Sequence, residues 1–94
     1  MLGDFVMSNY MITVAELEDK IWVLEEIRVV IRAPQSTMVP DYPYSRKISS
    51  TTSVTEWANG RLCPLLGDID FYVVDGSGVR PHGRTNMGNL RDSY

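Results

Sequence analysis

One cysteine, Cys63, and one histidine, His82, stand among the ninety-four residues. A lone cysteine excludes an intrachain disulfide and the stapled scaffolds of small secreted proteins, so a reducing compartment fits best. With one histidine and one cysteine, a metal site would have to rest on carboxylates, and neither metal nor other cofactor is expected. No run approaches the roughly 20 apolar residues of a membrane span. The opening MLGDFVMSNYM has neither the basic flank nor the apolar stretch of a signal peptide, and Met7 and Met11 are alternative starts. A soluble, cytoplasmic chain is expected, with a flexible tail over residues 1–11. Phosphate-binding signatures are missing too. No G-x-x-x-x-G-K-[ST] pattern occurs, and Pro81 stands where the third glycine of a G-x-G-x-x-G pattern beginning at Gly76 would fall.

What is present describes one folded domain spanning residues 1–94. An apolar fraction of 44% and a charged fraction of 22% are ordinary for a globular chain. A chain of this size buries roughly 60–70% of its unfolded surface, enough for one modest core. The net charge of −3 argues against non-specific nucleic-acid binding. That charge is unevenly spread. Residues 1–45 hold seven acids and three bases; residues 46–94 hold five acids and six bases. Between residues 79 and 91 stand Arg80, Arg84 and Arg91 with no acid.

Two capped helix–strand units follow from the patterning. Thr13 with Glu16 forms a capping box, and Val14, Leu17, Ile21 and Leu24 recur at helical spacing, predicting a helix over 14–25. Glu18, Asp19 and Glu25 fall off that stripe and are expected in solvent. Alternation in IRVVIRA predicts a strand over 27–33, which Pro34 ends. Residues 34–52 show neither period and read as a long connection, with YSRKI as a possible brief edge strand. Ser53 and Glu56 repeat the capping box before a second stripe of Val54, Trp57, Ala58, Leu62 and Leu65. Pro64 should kink or end this helix, and Gly67 suits the residue after its last turn. DIDFYVVDG reads as the second strand, Asp75-Gly76 and Gly78 as a turn, and Thr85 or Asn86 as the cap of a last helical turn. The fold class expected is α/β (or α+β): a short sheet with helices on one face and a short C-terminal helix. If the two strands are neighbours, a crossover helix makes them parallel, with Arg28 and Arg32 on the face of Asp70.

Few residues suit catalysis. A nucleophile–base pair would have to join His82 to a serine or to Cys63, and Cys63 sits in an apolar run that suggests core filling. The chain therefore reads as a binding protein and not an enzyme. In Arg80-Pro81-His82-Gly83-Arg84 a rigid proline and a glycine expected at positive φ would display three cationic or ionisable groups with little freedom to lose on binding. The acids Glu18, Asp19, Glu25 and Glu26 form a candidate face for a basic partner. Trp22, at the edge of the first stripe, is a candidate anchor beside them. Tyr42 and Tyr44, flanking Pro43, offer two rings from an extended segment. Trp57, on its stripe, is expected in the core.

The run TSVTEWANGRLCPLLGDIDFYVVDGSGVRPHGRTNMGNLRDSY, in a chain of this size, charge and short α/β construction, resembles the small phage-borne anti-CRISPR proteins. The resemblance implies a non-catalytic inhibitor that binds a host CRISPR effector complex, such as Cascade, and blocks target DNA binding or recruitment. It implies action in the host cytoplasm, with Glu18, Asp19, Glu25 and Glu26 imitating phosphates. The alternative is a small RNA- or phosphate-ligand-binding module that uses the basic 80–91 region with Tyr42 or Tyr44 as stacking surfaces.

Overall fold

Thr13 sets where the first helix begins. Its hydroxyl accepts from the Glu16 N–H at 3.2 Å, while the Glu16 carboxylate accepts from the Thr13 N–H at 2.9 Å. Two donors that a helix start leaves without partners are thereby satisfied. The computed structural model describes residues 11–94; the tail expected over 1–11 lies outside the described residues, apart from Met11. Strand β1 (Met11–Thr13) leads directly into helix α1 (Val14–Glu25), with the bounds that the periodicity predicts. Glu26 ends the helix in the left-handed region at φ 60°, and its N–H bonds the Trp22 carbonyl at 3.0 Å.

Strand β2 (Arg28–Ile31) follows, with Val29 and Ile31 buried and Arg28 exposed. The segment after it holds a strand that the sequence pattern does not announce: β3 (Met38–Pro40) pairs antiparallel with β1, Ile12 opposite Val39. Its approach covers the open start of α1, where the Val14 and Ala15 N–H groups bond the carbonyls of Thr37 and Gln35 at 2.9 and 3.2 Å. The stretch YSRKI forms no strand.

The second helix is built from three pieces: α2 (Val54–Trp57), a π-helical turn (Ala58–Leu62) and α3 (Cys63–Leu66). The Ser53–Glu56 capping box is formed as expected. Pro64 explains the irregularity. It has no N–H to return to Gly60, whose carbonyl instead accepts the Tyr44 hydroxyl at 3.4 Å, while the Cys63 N–H reaches back five residues to Ala58. The helix therefore neither ends nor breaks at Pro64; it takes in one extra residue and continues to Gly67, at φ 59°. This shifts the buried side chains. Trp57, Leu62 and Leu66 point inward, Leu65 is half-buried, and Cys63 is exposed, the reverse of core filling.

Strand β4 (Phe71–Val74) pairs with β2, and the pair is antiparallel: Ile31 lies opposite Phe71 and Arg28 opposite Val74. The parallel expectation is overturned because the long connection detours through β3 and returns the chain to the end of β2 that it left. Arg32 meets Asp70 through the backbone, N–H to carbonyl at 2.8 Å. The Asp70 carboxylate binds the Phe71 N–H at 2.9 Å, so the expected pairing of strand arginines with Asp70 is not formed. Helix α4 (Met87–Asp92) closes the described chain, its first turn capped by Asn86, whose side chain accepts from the Asn89 N–H at 2.8 Å. The architecture is thus a small mixed α/β domain with two two-stranded antiparallel sheets. One core joins all elements, with Leu17, Ile21, Ile27, Trp57, Leu62, Met87 and Leu90 essentially inaccessible. Each such side chain is worth about 1.5–3 kcal/mol in burial. Among the described residues, no helix is long and apolar enough to cross a membrane.

Candidate interaction surfaces

Glu25 lies on the apolar side of α1, four residues after Ile21, and its side chain is 0% exposed. Its carboxylate accepts from the Tyr42 hydroxyl at 2.5 Å, the Trp57 Nε1–H at 3.3 Å, the Ile48 N–H at 2.9 Å, Arg61 at 2.7 Å and Arg91 at 3.4 Å. Arg61 also donates to the Arg46 carbonyl and Arg91 to the carbonyls of Glu25 and Ile48. Burial pushes the Glu25 carboxyl up, but the Ile48 N–H, the Tyr42 hydroxyl and Arg61 together hold it below the usual carboxylate range. Burial, followed by the bond to Glu25, raises the Tyr42 phenol far above its ordinary value. This cluster ties α1, residues 42–48, the second helix and α4 together. It explains why a segment without regular hydrogen bonding holds its place.

The cluster removes three expected contacts from the surface. Glu25 is not solvated, Tyr42 is 5% exposed, and Arg91 is fastened inside. Neither Glu25 nor Tyr42 can meet a partner, and the basic 80–91 region loses Arg91 as a phosphate contact. Tyr44 is half-buried, packed edge-on against Tyr42 at 5.0 Å with the Arg61 guanidinium 4.4 Å over its ring.

The other acids of α1 divide. Glu18 is half-buried and works within the fold, its carboxylate accepting from the Ile31 N–H at 2.9 Å and the Gln35 side chain at 3.3 Å. Glu26 is exposed and paired with Lys47. Of the four, Asp19 alone is exposed without a hydrogen-bonded or ion-paired partner among the described residues. Trp22 is 38% exposed, with Arg28 4.6 Å above its ring and Tyr94 edge-on at 5.4 Å. Neither Arg28, which the alternation of IRVVIRA puts on the outer face of its strand, nor Tyr94 is among the expected partner contacts. The alternation that places Arg28 on the outer face of β2 was the available signal; Tyr94 had none.

The glycine turn is closed to phosphate. Ser77 and Val79 donate their N–H groups to the Asp75 carboxylate at 2.8 and 3.0 Å, Gly78 donates to the Asp75 carbonyl, and Gly76 to the Ser93 hydroxyl. Every donor such a cradle needs is occupied.

Beyond the turn the loop is anchored to the start of α2. The Val54 and Thr55 N–H groups bond the carbonyls of Thr85 and Gly83 at 2.8 and 3.1 Å, and the Met87 N–H bonds the Thr52 carbonyl at 2.8 Å. Gly83 is not at positive φ. It packs closely on α2: a Cβ there would stand 2.3 Å from the Thr55 hydroxyl, which would have to turn away. On this base sit Arg80, His82 and Arg84, all exposed and without a carboxylate partner among the described residues. Arg80 lies 4.1 Å over the Tyr72 ring, which leaves its N–H edge open. His82 Nδ1 accepts from the Arg84 N–H at 3.1 Å, and Nε2 has no hydrogen-bond partner among the described residues.

Beside Arg80 a cleft of about 280 Å³ runs between the second helix and β4, lined by Val54, Ala58, Asn59, Cys63, Phe71 and Val73, among others. Among the described residues no group of three or more His, Cys, Asp or Glu side chains is placed to hold a metal ion. No protein-family model, curated protein or solved structure matches the chain, so its function must be argued from this geometry.

Proposed function

We propose that the chain is a non-catalytic binding protein whose anchored loop, carrying Arg80, His82 and Arg84, meets a larger partner. In line with the resemblance stated above, the partner is a host CRISPR effector complex in the cytoplasm, and binding blocks its access to target DNA or its recruitment. One observation carries the reading: three cationic or ionisable side chains are held by backbone bonds to α2, yet none has an acid partner among the described residues. Lys20–Asp41, Lys47–Glu26 and the Glu25 cluster are matched, while Arg28, Arg32 and Arg46 also lack a carboxylate partner among the described residues; what sets the loop apart is three such side chains within five residues on an anchored backbone. Preorganised cations lose little entropy on docking and attract an acidic surface from a distance.

Carboxylates imitating phosphates support the reading less than the loop does, because only Asp19 of that set is exposed without a partner. The RNA- or phosphate-binding alternative keeps Arg80 and Arg84, whose guanidinium edges suit phosphate oxygens. The test is a target-DNA mobility shift with a purified CRISPR effector complex. The chain should suppress the shift, and the double substitution Arg80→Glu, Arg84→Glu should restore it. An effector that shifts DNA equally well with and without the chain overturns the inhibitor reading. A direct RNA shift abolished by the same double substitution establishes the alternative.

A further inference from the structure

The register of the β2–β4 pair decides which backbone groups face the cleft. Residues facing each other across an antiparallel pair alternate between exchanging both hydrogen bonds and exchanging none. The Arg32 N–H bonds the Asp70 carbonyl, so the Val30/Tyr72 pair is bonded, while Val29/Val73 and Ile31/Phe71 turn their polar groups outward. On β2 the outward Ile31 N–H is met by the Glu18 carboxylate and the Ile31 C=O by the Ala33 N–H, while the Val29 N–H and C=O have no partner among the described residues. On β4 the Phe71 N–H is met by Asp70. The Val73 N–H and C=O and the Phe71 C=O have no partner among the described residues, and both residues line the cleft.

Unpaired strand edges are templates for another strand, and proteins commonly cover or charge them. Here Val73, 7% exposed, lies at the floor of the cleft, and Phe71–Val74 carry no charged side chain. The cleft is walled by the second helix, lined with Val54, Ala58 and Phe71, and ended by Arg80 and Pro81. Its 280 Å³ falls just below the roughly 300–1,000 Å³ of small-molecule pockets. An apolar trough beside a strand edge suits alternate side chains of an extended peptide, whose backbone supplies the missing hydrogen bonds. A nucleic-acid backbone has no alternating N–H and C=O groups to offer Val73. The nearest charge is cationic, with Arg84 and His82 on the same loop, so an acidic segment is the complementary one.

We propose that this cleft takes an extended, acidic segment of the partner protein as a third strand on β4, paired through Val73 and with a carboxylate against Arg80. The proposal rests on the cationic-loop reading and gives its partner a chemistry. Strand addition of about three or four residues matches the length of β4, at roughly 3.3 Å per residue.

The test is selection from a displayed library of random peptides against the whole chain, followed by amide exchange on the complex. Selected peptides should alternate apolar and acidic residues. The Val73 amide should exchange faster than those of Val30 and Tyr72 in the free protein and become protected in the complex. Arg80→Glu should weaken binding about 10- to 100-fold, the scale of one lost charge-assisted contact. Asn59→Trp, which changes an exposed residue of the trough wall, should block it. An empty selection, peptides that bind without protecting Val73, or peptides unaffected by Asn59→Trp overturn the added strand. So does an oligouridine RNA that binds and protects Val73. If Arg80→Glu, Arg84→Glu abolishes effector inhibition while Asn59→Trp leaves it intact, the cationic loop stands and the strand proposal falls; if neither matters, both fall.

Discussion

Two groups of arginines in this small domain meet opposite fates. Arg61 and Arg91 converge on a carboxylate with no solvent access, and each also binds a backbone carbonyl. Arg80 and Arg84 stand on an anchored loop with no acid beside them. The difference is one of geometry. Arg61 and Arg91 lie on helices that face α1, whereas the 80–84 loop is fastened through its backbone, which leaves its side chains uncommitted. Saturated charges hold a fold together, and rigid unsaturated ones are available to a partner.

Breaking the first group should have the largest effect. Glu25→Ala leaves two arginines, a tyrosine hydroxyl and an indole N–H facing one another, and should cost about 3–5 kcal/mol in denaturant unfolding. A loss below about 1 kcal/mol would show that the cluster does not secure residues 42–48. Next comes Gly76→Ala at the base of the basic segment. A Cβ there would stand 1.7 Å from the Ser93 carbonyl oxygen, a backbone atom that must move, so about 1–3 kcal/mol should be lost in thermal unfolding. An unchanged midpoint would mean that the turn is not pressed against the C-terminal residues.

Acid sharpens the comparison further. The folded-state pKa of Glu25 is depressed, so its contribution is fully present above its ordinary value of 4.5 and is lost as pH falls through the folded value. Glu16 and Glu56, lowered by their capping bonds to Thr13 and Ser53, act in the same window. The difference between wild type and Glu25→Gln isolates the buried carboxylate: it should be constant above about pH 5 and shrink toward acid. A difference independent of pH would count against an ionised Glu25. The smallest expected effect on stability is that of Arg80→Glu, Arg84→Glu, within about 1 kcal/mol, because neither side chain has an acid partner and only the stacking of Arg80 on Tyr72 is lost. A larger loss would mean that these residues belong to the structural group after all.

Helix caps and strand alternation were legible because they are local: Thr13–Glu16, Ser53–Glu56 and Asn86 all act as the sequence suggests. Glu25 was misread although its position could be seen. It follows Ile21 by four residues and therefore shares the buried face, but a carboxylate there makes sense only once Arg61 and Arg91, far along the chain, are known to meet it. β3 was hidden for a related reason, being three residues that end in a proline and gain strand character only by pairing with β1. The exposed loop carrying Arg80, His82 and Arg84 was visible in the sequence, since the three lie within five residues. The open edge of β4 was not, because edges depend on pairing.

The extra residue in the π-helical turn separates spacing from length. With one residue of Ala58–Leu62 removed, Val54, Trp57 and the two leucines now at 62 and 66 would recur at ordinary α-helical intervals. A single-residue deletion there keeps the later apolar side chains on their face but sets Pro64 inside a regular helix, at about 3 kcal/mol, whereas one in α1 rotates every later side chain off its face by about 100°. Natural length variation, if this chain has close kin, is to be sought at Asn59 and Gly60.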